Sequence, residues 1–122
     1  IDDDRTLLEM TRTTLERQGY RVTAARDPTD GVRAFAATPD EWDLVITDRT
    51  MPRMNGEDVA REILRIRPDT PVIMCTGFSD AVTEAKARSI GIRAFLMKPI
   101  VGKELLSTVR GVLDGTHRQA AE

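Results

Sequence analysis

Leu44-Val45-Ile46-Thr47-Asp48, followed by Arg49-Thr50-Met51-Pro52, is the stretch on which the fold turns. The run from Leu44 to Thr47 is too short for a helix and does not alternate apolar with polar residues. That is how a strand buried on both faces reads. It ends in Asp48, a carboxylate that is costly to bury unless it is satisfied or used. Two further runs share this character, Val72 to Thr76 and Ala94 to Met97, and Tyr20 to Ala25 is a weaker fourth. Between the runs lie segments of helical period. Leu7, Leu8, Thr11 and Leu15 share one face, Val59, Ile63 and Ile66 share another, and Leu105, Leu106, Val109, Val112 and Leu113 form the clearest stripe. Asp27-Pro28 predicts an N-cap followed by proline at the first helical position, and Gly19 and Gly91 fall where helices should stop.

Strand and helix in unbroken alternation predict an α/β fold with a parallel sheet covered on both faces. Such sheets place ligands at the carboxyl ends of their strands. Asp2-Asp3-Asp4 follows Ile1, Asp48 closes the Leu44 run, Thr76-Gly77 closes the Val72 run, and Lys98-Pro99 closes the Ala94 run. Several carboxylates, a hydroxyl and an ammonium are therefore expected along one sheet edge. The sequence opens at what should be the last residue of a first strand, so further residues upstream are expected to complete it.

The chain has 122 residues, enough for one domain, with 40% hydrophobic and 31% charged residues. Its 18 basic and 20 acidic side chains leave a net charge of -2, without the basic footprint of nucleic-acid binding, so no nucleic-acid partner is expected. No apolar run approaches a membrane span and no signal peptide is visible, so no direct membrane contact and a cytoplasmic location are expected. The single cysteine, Cys75, cannot form an internal disulfide and reads as a small buried hydrophobe in a reducing compartment. The only histidine, His117, lies in a polar tail, which excludes a His-based metal cluster or catalytic triad.

Carboxylates crowded at one site repel. At a separation of about 4 Å and an effective dielectric of about 20, each pair costs about 4 kcal/mol. A cation relieves that cost, and oxygen-only ligands suit a hard ion that keeps some of its water, magnesium best. Lys98 adds a fixed positive charge. A carboxylate beside a divalent cation and an ammonium can attack phosphorus, because the cations neutralise the equatorial oxygens of the transition state. Thr76 is suited to hydrogen-bond an arriving phosphoryl oxygen.

Asp2-Asp3, Asp48 with Met51-Pro52 and Met54-Asn55-Gly56, Thr76-Gly77, and Lys98-Pro99 together resemble the response-regulator receiver family, at the family's spacings and over essentially the whole chain. The resemblance implies a flavodoxin-like (βα)5 fold, a five-stranded parallel sheet in order 2-1-3-4-5, over residues 1–114, with 115–122 as a polar tail. It implies Asp48 as phosphoacceptor, with Lys98 and Thr76 assisting. It implies Mg²⁺ held by Asp3, Asp48 and the backbone carbonyl of Thr50, with Asp2 acting through water. Thr76 and Phe95 take the family's switch positions. The implied partner is a histidine kinase or a histidine phosphotransfer domain that donates from phosphohistidine. Within the family, Thr47 to Pro52, Cys75 to Ser79 and Phe95 to Pro99 look most like the C-terminal receivers of hybrid sensor histidine kinases. The resemblance implies a signalling domain in a phosphorelay, not an enzyme with multiple turnover.

Two alternatives compete. Asp2-Asp3-Asp4-Arg5-Thr6 also spells the opening motif of haloacid-dehalogenase-type phosphatases, but the further acidic pair that such enzymes need after the lysine is missing, and Asp48 is left without a role. A phosphorylation-independent pseudo-receiver should have lost part of the acidic pocket, and this chain keeps it. Single residues have bland readings too. Asp4 is expected to cap the first helix, Phe95 to be core, and Met51 and Met54 to pack the loop. The sequence leaves the signal, the cognate kinase and the oligomeric state open.

Overall fold

A computed structural model describes residues 1–77 and 81–114. Five helices and three strands follow in chain order: α1 (Arg5–Arg17), α2 (Pro28–Ala37), β1 (Val45–Asp48), α3 (Gly56–Ile66), β2 (Val72–Thr76), α4 (Ala81–Ile90), β3 (Ala94–Met97) and α5 (Gly102–Leu113), with a short 3-10 turn at Pro39–Glu41. The strands are parallel and ordered β1-β2-β3. Val45 pairs with Val72 and Asp48 with Cys75, while Ile73 pairs with Ala94 and Thr76 with Met97. This register brings Asp48, Thr76 and the residue after Met97 to the same edge.

The helix boundaries have local causes. Asp27 caps α2 by accepting from the Thr29 amide at 2.8 Å, with Pro28 at the first position. Gly19 and Gly91, with φ of 92° and 119°, end α1 and α4 in a backbone conformation that costs glycine least. Asn55 caps α3 reciprocally with Asp58. β2 is buried at every residue, and its side chains alternate between two cores. Val72 and Met74 face Val59, Ala60, Ile63 and Phe35, from α3 and α2. Ile73 and Cys75 face Leu15, Leu105, Val109 and Val112, from α1 and α5.

Three details depart from expectation. Among the described residues the regular sheet has three strands, not five, and Tyr20–Ala25 runs outside any ladder. The physical reason is the gap beside β1. Only Ile1 and Asp2 bridge it. The Ile1 nitrogen donates to the Ile46 carbonyl at 2.7 Å, the Asp48 amide donates to the Ile1 carbonyl at 2.8 Å, and the Asp2 amide donates to the Ala25 carbonyl at 3.1 Å. Residues 20–24 thus have no neighbouring backbone to pair with. Second, the sequence from Ser79 to Ile90 predicts a helix with the small residues Ala81, Val82 and Ala85 facing inward, but α4 turns Ala87 inward and leaves Ala85 exposed; Ala87 lies three residues after the half-buried Glu84 and three before the half-buried Ile90, on one helical face. The other inward candidates, Ala81 and Val82, lie outside the residues whose side chains are described, as do Phe78, Ser79 and the tail with His117. Third, Arg53 takes φ 72°, in the left-handed region, between the Met-Pro loop and α3.

Gly56 lets the start of α3 settle onto the end of β1. Its amide donates to the Arg49 carbonyl at 2.7 Å. Alanine has the better helix propensity by about 1 kcal/mol, so propensity alone favours Gly56→Ala. The added methyl, however, would lie 2.6 Å from the Asp48 carbonyl oxygen and 2.9 Å from the Arg49 Cα, backbone atoms that cannot swing aside. Overpacking outweighs propensity, and Gly56→Ala is expected to lower the unfolding free energy by about 1–3 kcal/mol. Urea denaturation checks this; an unchanged or raised midpoint contradicts the close packing.

Candidate functional site

Asp48 is the last residue of β1 and is 4% exposed. Burial of that carboxylate is compensated by two donors to Oδ1: the Lys98 Nζ at 2.8 Å and the Arg49 amide at 3.0 Å. Lys98 reaches it because it follows β3 directly and its own amide donates to the Thr76 carbonyl at 2.9 Å. Thr76 ends β2 and is buried beside them. The carboxyl ends of three adjacent parallel strands thus bring together the carboxylate, hydroxyl and ammonium expected from the sequence.

The remaining acids arrive from the loop before α1. Asp2 is buried, and its Oδ1 accepts from the Asp4 amide at 2.9 Å. Asp4 caps α1, accepting from the Leu7 amide at 3.2 Å. Asp2, Asp3 and Asp48 each offer a carboxylate oxygen within 4.8 Å of the others. Oxygens around an octahedral magnesium lie about 3–4 Å apart, so small side-chain adjustments bring this set to that geometry. Thr50 lies in the loop between Arg49 and α3, next to the cluster in sequence. Phe95 is half-buried, packed against the core shared with α3, and the Arg88 guanidinium lies 5.4 Å from its ring centre. Met51 is core, as expected of a packing residue.

The charges perturb one another. Burial raises the Asp2 carboxyl above its ordinary range, and the neighbouring Asp48 pushes it further; the Asp4 amide and Lys98 oppose this. Burial acts to lower the Lys98 ammonium, but its hydrogen bond to Asp48 and the attraction of Asp48 and Asp2 outweigh that, so it is raised and stays charged at neutral pH. Burial pushes the Cys75 thiol up to about 12, which makes it inert near neutral pH, in keeping with its reading as a hydrophobe. The phosphatase alternative assigns Lys98 to the Asp2 motif, yet the lysine pairs with Asp48, and Asp4 is engaged as a cap.

Sequence reasoning missed two ion pairs around the loop after Asp48. Arg49 pairs with Glu57 at 3.1 Å, and Arg53 pairs with Asp27 at 2.8 Å. Neither spacing is a helical one. The only sequence signal was the acid at the start of α3, which favours a helix N-terminus in any case.

The fold holds the proton of Asp2 more tightly than the unfolded chain does. Ionised Asp2 therefore subtracts stability, and the loss develops as pH rises from the ordinary carboxylate range through the raised value. Asp2→Asn keeps the acceptor for the Asp4 amide and removes the charge. It is expected to raise the metal-free unfolding midpoint near neutral pH by a few degrees. The gain should vanish in acid below the ordinary carboxylate range. Thermal unfolding followed by circular dichroism checks it, and a midpoint that falls at neutral pH contradicts the electrostatic reading.

The response regulator receiver domain family matches residues 1–110. The chain is 34% identical over 117 residues to the transcriptional regulatory protein CpxR of Klebsiella pneumoniae subsp. pneumoniae (strain HS11286), covering 96% of this chain and 49% of that protein. It is 34% identical over 122 residues to the DNA-binding response regulator MtrA of Mycobacterium leprae (strain TN), covering 100% of this chain and 53% of that protein. The chain thus spans about half the length of these relatives. Among solved structures, a response regulator receiver domain protein from Clostridium thermocellum superposes with a TM-score of 0.86 at 34% identity, over 93% of this chain and 90% of that one. The chemotaxis protein CheY4 of Vibrio cholerae gives 0.85 at 26% identity, over 91% and 92%. These relatives bear regulator names, and they lend no support to the narrower expectation of a hybrid-kinase receiver. The flavodoxin-like receiver architecture read from the sequence holds, and the chain belongs to the response regulator receiver family.

Proposed function

We propose that the chain is a phosphoacceptor switch that takes a phosphoryl group from phosphohistidine onto Asp48. The observation that carries this reading is the Lys98–Asp48 contact at 2.8 Å beside Asp2 and Asp3. With Oδ1 engaged by Lys98 and the Arg49 amide, Oδ2 is the nucleophile. The donor's P–N bond breaks as the Asp48 O–P bond forms, and the imidazole leaves. Lys98 neutralises an equatorial oxygen, and Thr76 hydrogen-bonds another. Asp3, Asp48 and the Thr50 carbonyl would hold Mg²⁺, with Asp2 assisting, and the ion would supply charge neutralisation at the phosphoryl oxygens. On this reading the domain is a signalling element that carries one phosphoryl group, not an enzyme of multiple turnover.

Phe95 and Thr76 form the readout. A phosphoryl group gives Thr76 a new acceptor, and Phe95 turns inward to fill the space vacated behind β2. The changes are expected within residues 77–102. We place the domain in the cytoplasm, as the receiver-family resemblance implies. The relatives' names include DNA binding for MtrA. The earlier expectation of no nucleic-acid partner concerns the charge of these residues alone, and a DNA-binding output elsewhere in a longer protein fits the relatives better than a hybrid kinase.

The donor is expected to dock on α1 and the start of α5. Met10 on α1 and Val101, which caps α5, are 47% and 50% exposed, and Thr14 lies against Gly102 at the start of α5. Acetyl phosphate with Mg²⁺ should add one phosphoryl group by intact mass, and Asp48→Asn should take none; equal labelling of that variant overturns the assignment. Met10→Glu and Val101→Glu should slow transfer from a phosphohistidine protein about tenfold or more, by analogy with anchor residues at interfaces. They should leave acetyl phosphate labelling intact. Equal slowing with both donors means the substitutions damage the site itself and not a docking face.

A further inference from the structure

Glu57 is the second residue of α3 and is only 8% exposed. A carboxylate so covered needs a partner. It has one in Arg49, whose Nε donates to Oε1 at 3.1 Å. Arg49 is fixed at three further points. Its amide donates to the Cys75 carbonyl at 2.8 Å and to Asp48 Oδ1 at 3.0 Å, and its carbonyl accepts from Gly56 at 2.7 Å. One residue thus joins β2, the acceptor carboxylate and the first turn of α3. It closes the loop that carries Thr50. The other tether of this loop, Arg53 to Asp27, has an arginine side chain 74% exposed and is correspondingly weak.

We propose that Glu57 is a positioning residue that, through Arg49, sets the pose of the Asp48 carboxylate and of the Thr50 loop and so tunes the affinity for the divalent cation. The inference rests on the metal reading given under Proposed function. Partners that orient metal ligands from behind commonly act in this way. A plain field effect is the competing explanation, and it differs in sign. Removing Glu57 takes away a negative charge and weakens cation binding on either account. Removing the Arg49 side chain takes away a positive charge, so a field effect tightens binding, whereas loss of positioning weakens it. If the two residues act as one unit, removing both costs no more than removing either.

The test is calorimetric titration with MgCl₂ of the parent, Glu57→Ala, Arg49→Ala and the double variant, with a thermal midpoint for each. Both single variants are expected to raise the Mg²⁺ Kd about tenfold, and the double variant by no more than either. Glu57→Gln keeps an acceptor for Nε and should stay close to the parent. Glu62→Ala, which removes an exposed acid on α3 paired with Arg65, should not move the Kd. Tighter binding by Arg49→Ala overturns the proposal. So do additive losses, or lowered midpoints with an unchanged Kd, which would assign the pair to stability alone. If the alanine variants do not fold, Arg49→Lys carries the test, since it keeps the charge without the planar fork. It should weaken binding where Glu57→Gln does not, and equal affinities overturn the proposal. A parent chain that binds no Mg²⁺ removes the metal site itself and the inference with it, a failure visible before any variant is made.

Discussion

The ion pair between Lys98 Nζ and Asp48 Oδ1 is the interaction on which the rest of the structure depends. β1 runs into the interior and ends in a carboxylate that is 4% exposed, with the Asp2 carboxyl buried next to it. Left unpaired, that arrangement would cost several kcal/mol per charge or force protonation. Lys98 prevents this while remaining 28% exposed at its side chain, so its ammonium keeps some of its water. The asymmetry matters. Without Asp48 the lysine can turn to solvent, but without Lys98 two buried carboxylates face each other. Parallel strands in register are what make the pair possible, because they place the ends of β1, β2 and β3 side by side.

The same constraint explains why the site is poised. Asp2 ionises only with difficulty, since burial and the charge of Asp48 both oppose it. The domain therefore holds an electrostatic strain that a bound cation or an arriving phosphoryl group with its metal would relieve. Such sites trade stability for function. The Arg49–Glu57 pair, with its carboxylate buried, serves the opposite end, tying the loop after Asp48 to a helix capped by Asn55 and packed into the core.

Much of this was legible in the sequence, for physical reasons. β1, β2 and β3 stood out because a doubly covered strand has no polar face to show. The convergence of Asp48, Thr76 and Lys98 followed from the rule that parallel strands share an edge. Asp27-Pro28, Gly19 and Gly91 were read correctly because caps and stops are local. What escaped was non-local. The pairing state of Tyr20–Ala25 depends on a neighbour across the sheet, and the sequence of the segment does not report that neighbour. The inward face of α4 was misassigned to Ala85 because small residues on both sides of a helix carry little periodic signal. Arg49–Glu57 and Arg53–Asp27 are pairs made by a loop's path, with no spacing rule to reveal them. The comparison with regulators also bears on the wider context: the chain spans about half the length of CpxR and MtrA, and those relatives bear regulator names, not hybrid-kinase ones.

The central claim is that one carboxylate, at the end of β1, takes the phosphoryl group. An acyl phosphate is reduced by borohydride to an alcohol, which converts the phosphorylated aspartate to homoserine. After treatment with acetyl phosphate and Mg²⁺, reduction and proteolysis, tandem mass spectrometry should find homoserine at residue 48 and at no other aspartate. Homoserine at Asp2 or Asp3 instead, or a phosphoryl group retained elsewhere with residue 48 unaltered, would contradict the account.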